Sequence, residues 1–445
     1  MNKQVQMLAS EARFREATPL TRALTRLSAT ACHVTFSPLA QPGVSAQRGR
    51  SAPAPIRADL CSRSDLRIAI ASSGLGHVHR GVETWARDLA TALHNRGVDV
   101  RLFQGAGRPE VDWAQALRCR LRFDPSSAAI VERFRGLGGW RYGIGSVYQL
   151  EQTTFAIPLW RAIRRDFDIL HVQDPWLALI LHRLHRLGLS RPRVILAHGT
   201  EEPPEFLARF ANLQHLAPCY NADWSARRPA RQLACAVPNF VDTNRFRPGC
   251  RRAARAAFDL DPDAFVVLSA AAIKRGHKRI DALVEEFRRF LEISGRNAIL
   301  VIAGSREADT ADLIAGAERL LGERVRFLVG VDRGRMPDLF RAADIFALAS
   351  LHEMMPIAVL EALASGLPVA CSDTPALRWM VGPAGHLTSI DSPGALAVQL
   401  SVLSDDKRRS ELSAAARDHA VATFSEAAVL PAYLDLYARV AGRNR

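Results

Sequence analysis

The sequence predicts an α/β fold of two doubly wound lobes facing a cleft. Two observations carry this. Short apolar runs alternate with patterns of helical period along two successive stretches, and a Pro238-Asn-Phe-Val-Asp242 link stands between the two series. Apolar strands alternating with helices at this spacing build a parallel sheet covered on both faces. In such sheets ligands bind outside the carboxyl ends of the strands. At 445 residues the chain is long enough for two such domains and an extension.

Residues 1–64 read as a disordered basic extension, rich in Ala, Ser, Arg and Pro, with nine Lys and Arg against three acids. A transit segment and a misassigned start both suit this composition, and in either case the segment is expected to be dispensable. Order begins at Leu66 with an apolar run to Ser72, followed by Gly74 and Gly76. Val82, Trp85, Leu89 and Leu93 then share one face of a helix that stops at Gly97, and Val98–Phe103 is a second strand. Residues 104–165 show no clear period. Strands return at Asp168–Val172 and Arg193–Ala197 around a helix at Leu177–Leu187, and the first domain, 65–242, ends at the link.

The second domain, 243–424, carries apolar runs at Phe265–Ala271, Ala298–Ala303, Val325–Val329, Asp344–Ala349 and Leu367–Cys371. Helical patterns at 278–293, 309–321, 335–342 and 356–365 alternate with them. A last amphipathic helix, with Leu430, Tyr433, Leu434 and Tyr437, occupies the tail, 425–445.

Composition narrows the function. No apolar run reaches the roughly 18 residues that would span a bilayer. The seven cysteines are scattered without a Cys-x-x-Cys, which argues against a disulfide framework or zinc ribbon and for a reducing, cytoplasmic setting. Cys119, Cys235 and Cys371 read as core-filling. The net charge of +14 suits phosphate-bearing substrates or an anionic lipid surface, and an Arg-rich coding bias accounts for it equally well. Lysine is scarce, at four residues against 55 arginines, so Lys274 and Lys278 stand out in one loop. A compact ammonium meets phosphate differently from a guanidinium fork.

The most informative stretch runs from His352 to Ala370. Glu353 falls in the loop after the strand Asp344–Ala349, and Met355, Pro356 and Ile357 open the next helix. Unpaired N–H groups and a positive dipole end make that start a site for a diphosphate. Glu361, a turn inside, can accept hydrogen bonds from a ribose diol, and Glu353 from sugar hydroxyls.

Glu353 and Glu361, with Pro356, Gly366 and Pro368 in register, reproduce the Glu-x7-Glu motif of the family-four retaining glycosyltransferases, and the chain resembles that family over about residues 66–440. The resemblance implies the GT-B fold: two Rossmann-like domains facing a cleft, with the C-terminal helix crossing back. It implies transfer of a hexose from a nucleoside-diphosphate sugar to a hydroxyl acceptor, a glycan or lipid-linked sugar, with no metal and no cofactor beyond the donor substrate. Lys278 matches the family lysine that neutralises the donor diphosphate. The family arginine five residues earlier falls on Ile273, and Lys274 or Arg275 is expected to replace it. Gly76 and Gly81 match the glycine loop of the N-terminal domain, although Arg80 stands where the family has its first glycine. His198 matches the histidine placed against the donor sugar. Residues 104–165 become the acceptor-side surface. Glu361 and Lys278 are expected to face the cleft rather than the core.

The pairs His77/His79 and His182/His185 have metal-compatible spacing but no third ligand, and read as non-metal. A nucleotide-sugar epimerase, a dinucleotide enzyme and a non-catalytic sugar-nucleotide-binding subunit remain alternatives. Against the dinucleotide enzyme, the Gly-x-Gly-x-x-Gly spacing fails at His79 and no acid closes the second strand. Nucleic acid is not expected as a partner. Peripheral association with the inner membrane face is.

Overall fold

The computed structural model describes residues 66–78 and 80–442, so the extension at 1–64 and His79 lie outside the described residues. The first lobe follows the expected alternation: β1 (Ile68–Ser72), α1 (Gly81–Asn95), β2 (Val100–Gln104), β3 (Ala114–Ala116), α2 (Pro125–Phe134), α3 (Val147–Ile163), β4 (Ile169–Val172), α4 (Pro175–Arg186) and β5 (Arg193–His198). The short α5 (Pro204–Leu207), β6 (Asn212–His215), α6 (Pro218–Ser225) and β7 (Leu233–Ala236) complete it. All seven strands are parallel, in the order β3-β2-β1-β4-β5-β6-β7. Every residue of β1 is buried, as a strand covered on both faces requires. On α1, Trp85, Ala86, Leu89 and Leu93 form the buried stripe.

The second lobe holds α7 (Arg251–Ala256), β8 (Phe265–Ala270), α8 (Ile280–Ser294), β9 (Ala298–Gly304), α9 (Thr310–Leu321), β10 (Val325–Val329) and α10 (Met336–Ala342). It continues with β11 (Ile345–Leu348), α11 (Ile357–Ala364), β12 (Val369–Ser372), α12 (Pro375–Val381), β13 (Gly385–Thr388), α13 (Ala395–Leu403) and α14 (Asp406–Phe424). Its six parallel strands run β10-β9-β8-β11-β12-β13. Strand order reverses between β1 and β4 in one sheet and between β8 and β11 in the other. Loops diverge at these two places and leave crevices above the strand ends.

The last helix, α15 (Glu426–Gly442), crosses back to the first lobe. It leaves the second lobe beside the link, where Val241 pairs with Ser425. Tyr433 is fully buried; its hydroxyl accepts from Trp85 Nε1 and Gln214 Nε2, both at 3.1 Å, and donates to the Pro238 carbonyl. Tyr437 lies 2.9 Å from His171 Nδ1, and burial depresses that imidazole to about 3. Leu436 and Val440 share the buried face, while Leu434 is only half-buried at its flank. Truncating either tyrosine would cost about 3–5 kcal/mol, the range for a buried aromatic.

Candidate functional site

In the second lobe the loops after β8 and β11 flank the switch point and are tied together by Leu351 N–H on the His277 carbonyl at 2.8 Å. Lys278 projects from the first loop and Glu353 from the second, and their Nζ and Oε1 atoms meet at 2.5 Å. Both side chains are largely enclosed, at 17% and 9% exposure, so the charged hydrogen bond is little screened. Arg279 follows in a left-handed conformation, φ +49°. A non-glycine residue there costs roughly 1 kcal/mol. The bond from its N–H to the Arg275 carbonyl, 2.6 Å, holds the turn that aims Lys278 at Glu353.

Ile273, in the family's arginine slot, is fully buried in the core beneath this loop and cannot reach a ligand. Lys274 is half-buried beside it. Arg275 is exposed, and its backbone N–H is held by Asp309 at 2.7 Å.

The start of α11 is tied to the link. Pro356 caps the helix, and Met355 is buried, its sulfur and carbonyl both accepting from Asn239 at 3.2 Å. Ile357 faces the other lobe: a Cβ on Gly81 would stand 4.0 Å from Ile357 Cδ1. The starts of α1 and α11 therefore meet across the cleft. Tyr220 on α6 adds a second bridge, donating to the Glu353 carbonyl at 2.9 Å.

Glu361 corrects one expectation. It is 2% exposed rather than open to the cleft, because Arg333, in the loop after β10, covers and pairs with its carboxylate. The other nitrogen of Arg333 lies 3.4 Å from Asp88 on α1. Burial pushes both acids above the usual carboxylate range, with Arg333 opposing the rise in each.

In the first lobe, Gly76 adopts φ +95°, and a Cβ there would stand 2.0 Å from the Ala106 carbonyl oxygen. Close packing of two loops, not approach to a ligand, demands this glycine. Around it lies a charged cluster that the sequence did not reveal. Arg122 grips Glu151 at 2.5 Å, and His77 adds a bond at 2.9 Å. Burial works against ionisation of Glu151, but these hydrogen bonds outweigh it and pull the carboxyl down to about 2. Asp174, after β4, accepts from Ser73 N–H at 2.6 Å and from the Tyr148 hydroxyl at 2.7 Å, stitching the crevice between β1 and β4.

His198 ends β5 at 9% exposure, with its Nδ1 3.3 Å from His215 Nδ1. Burial depresses His198 to about 4 and His215 to about 3, so both are neutral near pH 7. His198 Nε2, Gln173 Nε2 and the Ser72 and Ser73 hydroxyls are buried without hydrogen-bond partners, although the Glu202 carboxylate stands 3.9 Å from His198 Nε2. They gather at the carboxyl ends of β5, β4 and β1, where a polyhydroxyl ligand would satisfy them. Among the described residues no group of three His, Cys, Asp or Glu is placed to hold a metal ion.

Comparison with known proteins agrees with this architecture. The family described as Glycosyltransferase Family 4 matches residues 79–245, and that described as Glycosyl transferases group 1 matches residues 251–419. The D-inositol 3-phosphate glycosyltransferase of Mycolicibacterium gilvum is 32% identical over 314 residues, 63% of this chain and 67% of that protein. The D-inositol 3-phosphate glycosyltransferase 2 of Catenulispora acidiphila is 27% identical over 84% of this chain and 95% of its own length. Two solved structures share the fold. Sucrose-phosphate synthase from Thermosynechococcus elongatus has TM-score 0.67 and 18% identity, covering 84% of this chain and 99% of that one. Anabaena HepE, solved with UDP and glucose, has TM-score 0.62 and 13% identity, covering 84% and 100%. With one family description on each lobe, and with Glu353 before α11 and Glu361 a turn inside it, the chain belongs to the family-four glycosyltransferases of the GT-B fold.

Proposed function

We propose that the protein transfers a hexose, with retained configuration, from a nucleoside-diphosphate sugar to an acceptor hydroxyl. The observation that carries this reading is the Lys278–Glu353 pair at the β8–β11 switch point, beside the start of α11. In this reading the donor ribose binds over Glu361 and displaces Arg333 from it. The diphosphate lies between Lys278, Lys274 and the start of α11, and Glu353, freed from Lys278, accepts sugar hydroxyls. The bond from the anomeric carbon to the diphosphate breaks while the acceptor oxygen bonds that carbon on the same face. The acceptor proton passes to the departing diphosphate oxygen. Charge therefore grows on the leaving group, and Lys278 stabilises it more in the transition state than in the bound donor. Neutral His198 faces the sugar as a hydrogen-bonding partner rather than a cation. The bond of Tyr220 to the Glu353 carbonyl and the packing of Ile357 among first-lobe apolar side chains keep the lobes close enough to exclude water, which would otherwise hydrolyse the donor.

The named relatives and neighbours are transferases and synthases, which favours transfer over epimerisation or a purely binding role. UDP is the first donor base to test, because HepE was solved with it. The test is a panel of UDP- and GDP-sugars scored for released nucleoside diphosphate, with and without hydroxyl acceptors. Release that Lys278→Ala abolishes supports the assignment. A free sugar isomer without diphosphate would replace it with epimerisation.

A further inference from the structure

Between β3 and α3 the first lobe sends out an excursion whose apolar side chains point away from the protein. Phe123, Leu137, Trp140 and Tyr142 are 72%, 71%, 61% and 71% exposed, and Phe134 is 37% exposed. On α2, which forms a third of the excursion, only Ser127 is buried. Two single turns of 3-10 helix, Arg135–Leu137 and Gly139–Tyr142, carry Leu137, Trp140 and Tyr142, and Phe123 precedes α2. Five large apolar side chains left exposed between positions 123 and 142 mark a contact surface, since monomers seldom leave so much apolar area free in one segment.

The polar residues among them are mostly cations. Arg118, Arg120, Arg133, Arg135 and Arg141 are exposed on the same excursion, against the acids Asp124 and Glu132. Arg141 lies over the Trp140 ring, 5.1 Å from its centroid, so the cation and the aromatic face present together. Exposed aromatic and leucine side chains interspersed with arginine along one segment suit the headgroup region of an anionic bilayer, where the rings sit at the boundary and the guanidinium groups meet phosphate. Residues 1–64 of this chain are themselves basic and so are not complementary to the patch.

The excursion is rooted in the first-lobe crevice at both ends. Arg122 at its start pairs with buried Glu151, and Tyr148 at its end bonds Asp174, with the Arg122 guanidinium 4.4 Å from the Tyr148 ring. A surface held by the exposed tip is thereby held at a fixed position relative to the crevice between β1 and β4.

The geometry points to a docking surface for an anionic lipid bilayer, formed by Phe123, Phe134, Leu137, Trp140, Tyr142 and the arginines beside them, which brings a membrane-borne acceptor to the first lobe. The acceptor's attachment to lipid rests on the transferase reading; the docking does not. No helix of the described residues is long and apolar enough to cross a membrane, so contact through this tip is of the surface-lying kind.

The test is sedimentation of the full chain with phosphatidylglycerol vesicles and with phosphatidylcholine vesicles, beside the variant Leu137→Ser/Trp140→Ser/Tyr142→Ser. The parent should bind the anionic vesicles at least tenfold more tightly than the neutral ones, and added salt should weaken that binding. The triple variant should lose at least tenfold, with melting temperature and diphosphate release in the absence of acceptor unchanged. Three results would overturn the docking surface: no binding of the parent to anionic vesicles, equal binding by the triple variant, or a parent dimer that the triple variant abolishes while vesicles have no effect. Diphosphate release in the same samples reports separately on the transferase reading.

Discussion

Arg333 neutralises Glu361 through one guanidinium nitrogen while the other stands 3.4 Å from Asp88, so a single cation links the motif carboxylate to the opposite lobe. Burial already raises Glu361, and Arg333 is the main opposing influence, with Arg245 adding to it and Asp88 working against it. Arg333→Met should therefore raise Glu361 further and protonate it over a wider pH range. The acid limb of kcat/KM for the donor should move to higher pH. A shift of one unit corresponds to about 1.4 kcal/mol, or tenfold in donor affinity on that limb. Arg333→Lys should restore part of it. An unmoved pH profile would show that Arg333 only bridges the lobes.

Lys278→Ala should lower turnover by about 10²–10³, the usual effect of removing one group that stabilises developing charge. Donor affinity should change less, because that charge is greatest as the bond breaks. Lys274→Ala should reproduce the effect in weaker form and Arg275→Ala should not, since Arg275 is exposed. Steady-state kinetics with melting curves separate these outcomes. A stability loss with unchanged rate per folded molecule would make Lys278 structural.

His198 and His215 give a pH dependence with a definite sign. Burial holds their folded values at about 4 and about 3, below the 6.5 of an unperturbed imidazole. The unfolded chain therefore binds more protons below about pH 6.5, and stability falls as pH drops from there toward the folded values. His215→Asn should flatten this slope by up to about 1.4 kcal/mol per pH unit. Buried Asp174 and Glu361 are shifted upward and oppose the trend, but they are common to both proteins and cancel in the difference. Denaturant melts at pH 5 and 7 on parent and variant check this.

Diphosphate release should persist in EDTA. Activity lost on chelation and restored by Mg²⁺ would require a metal carried in by the donor.

The second-lobe framework was legible because it is local. Phe265–Ala270 and Val325–Val329 are continuous apolar runs, and Glu353, Pro356 and Glu361 lie within nine residues of one another. Strand β6 was not legible: Asn-Leu-Gln-His has no apolar alternation, and its polar side chains are buried by partners such as the Val194 and Val237 carbonyls. The three residues of β3 are too few to show a period. Arg333 escaped notice because it meets Asp88 from 245 positions away in the chain. Glu151 and Arg122 belong to the stretch without periodicity, where only contact in space reveals that an acid and a base are paired.

Helix α15 also has a consequence for synthesis on the ribosome. Trp85, His171 and Gln214 belong to elements made early, yet the tyrosines that cover them lie beyond the whole second lobe in the chain. A nascent chain completes domains in the order they emerge. Here the lobe that emerges first keeps an apolar furrow uncovered until residues 426–442 arrive. During translation that furrow stays open to solvent, and a ribosome stalled anywhere in the second lobe leaves it exposed to aggregation.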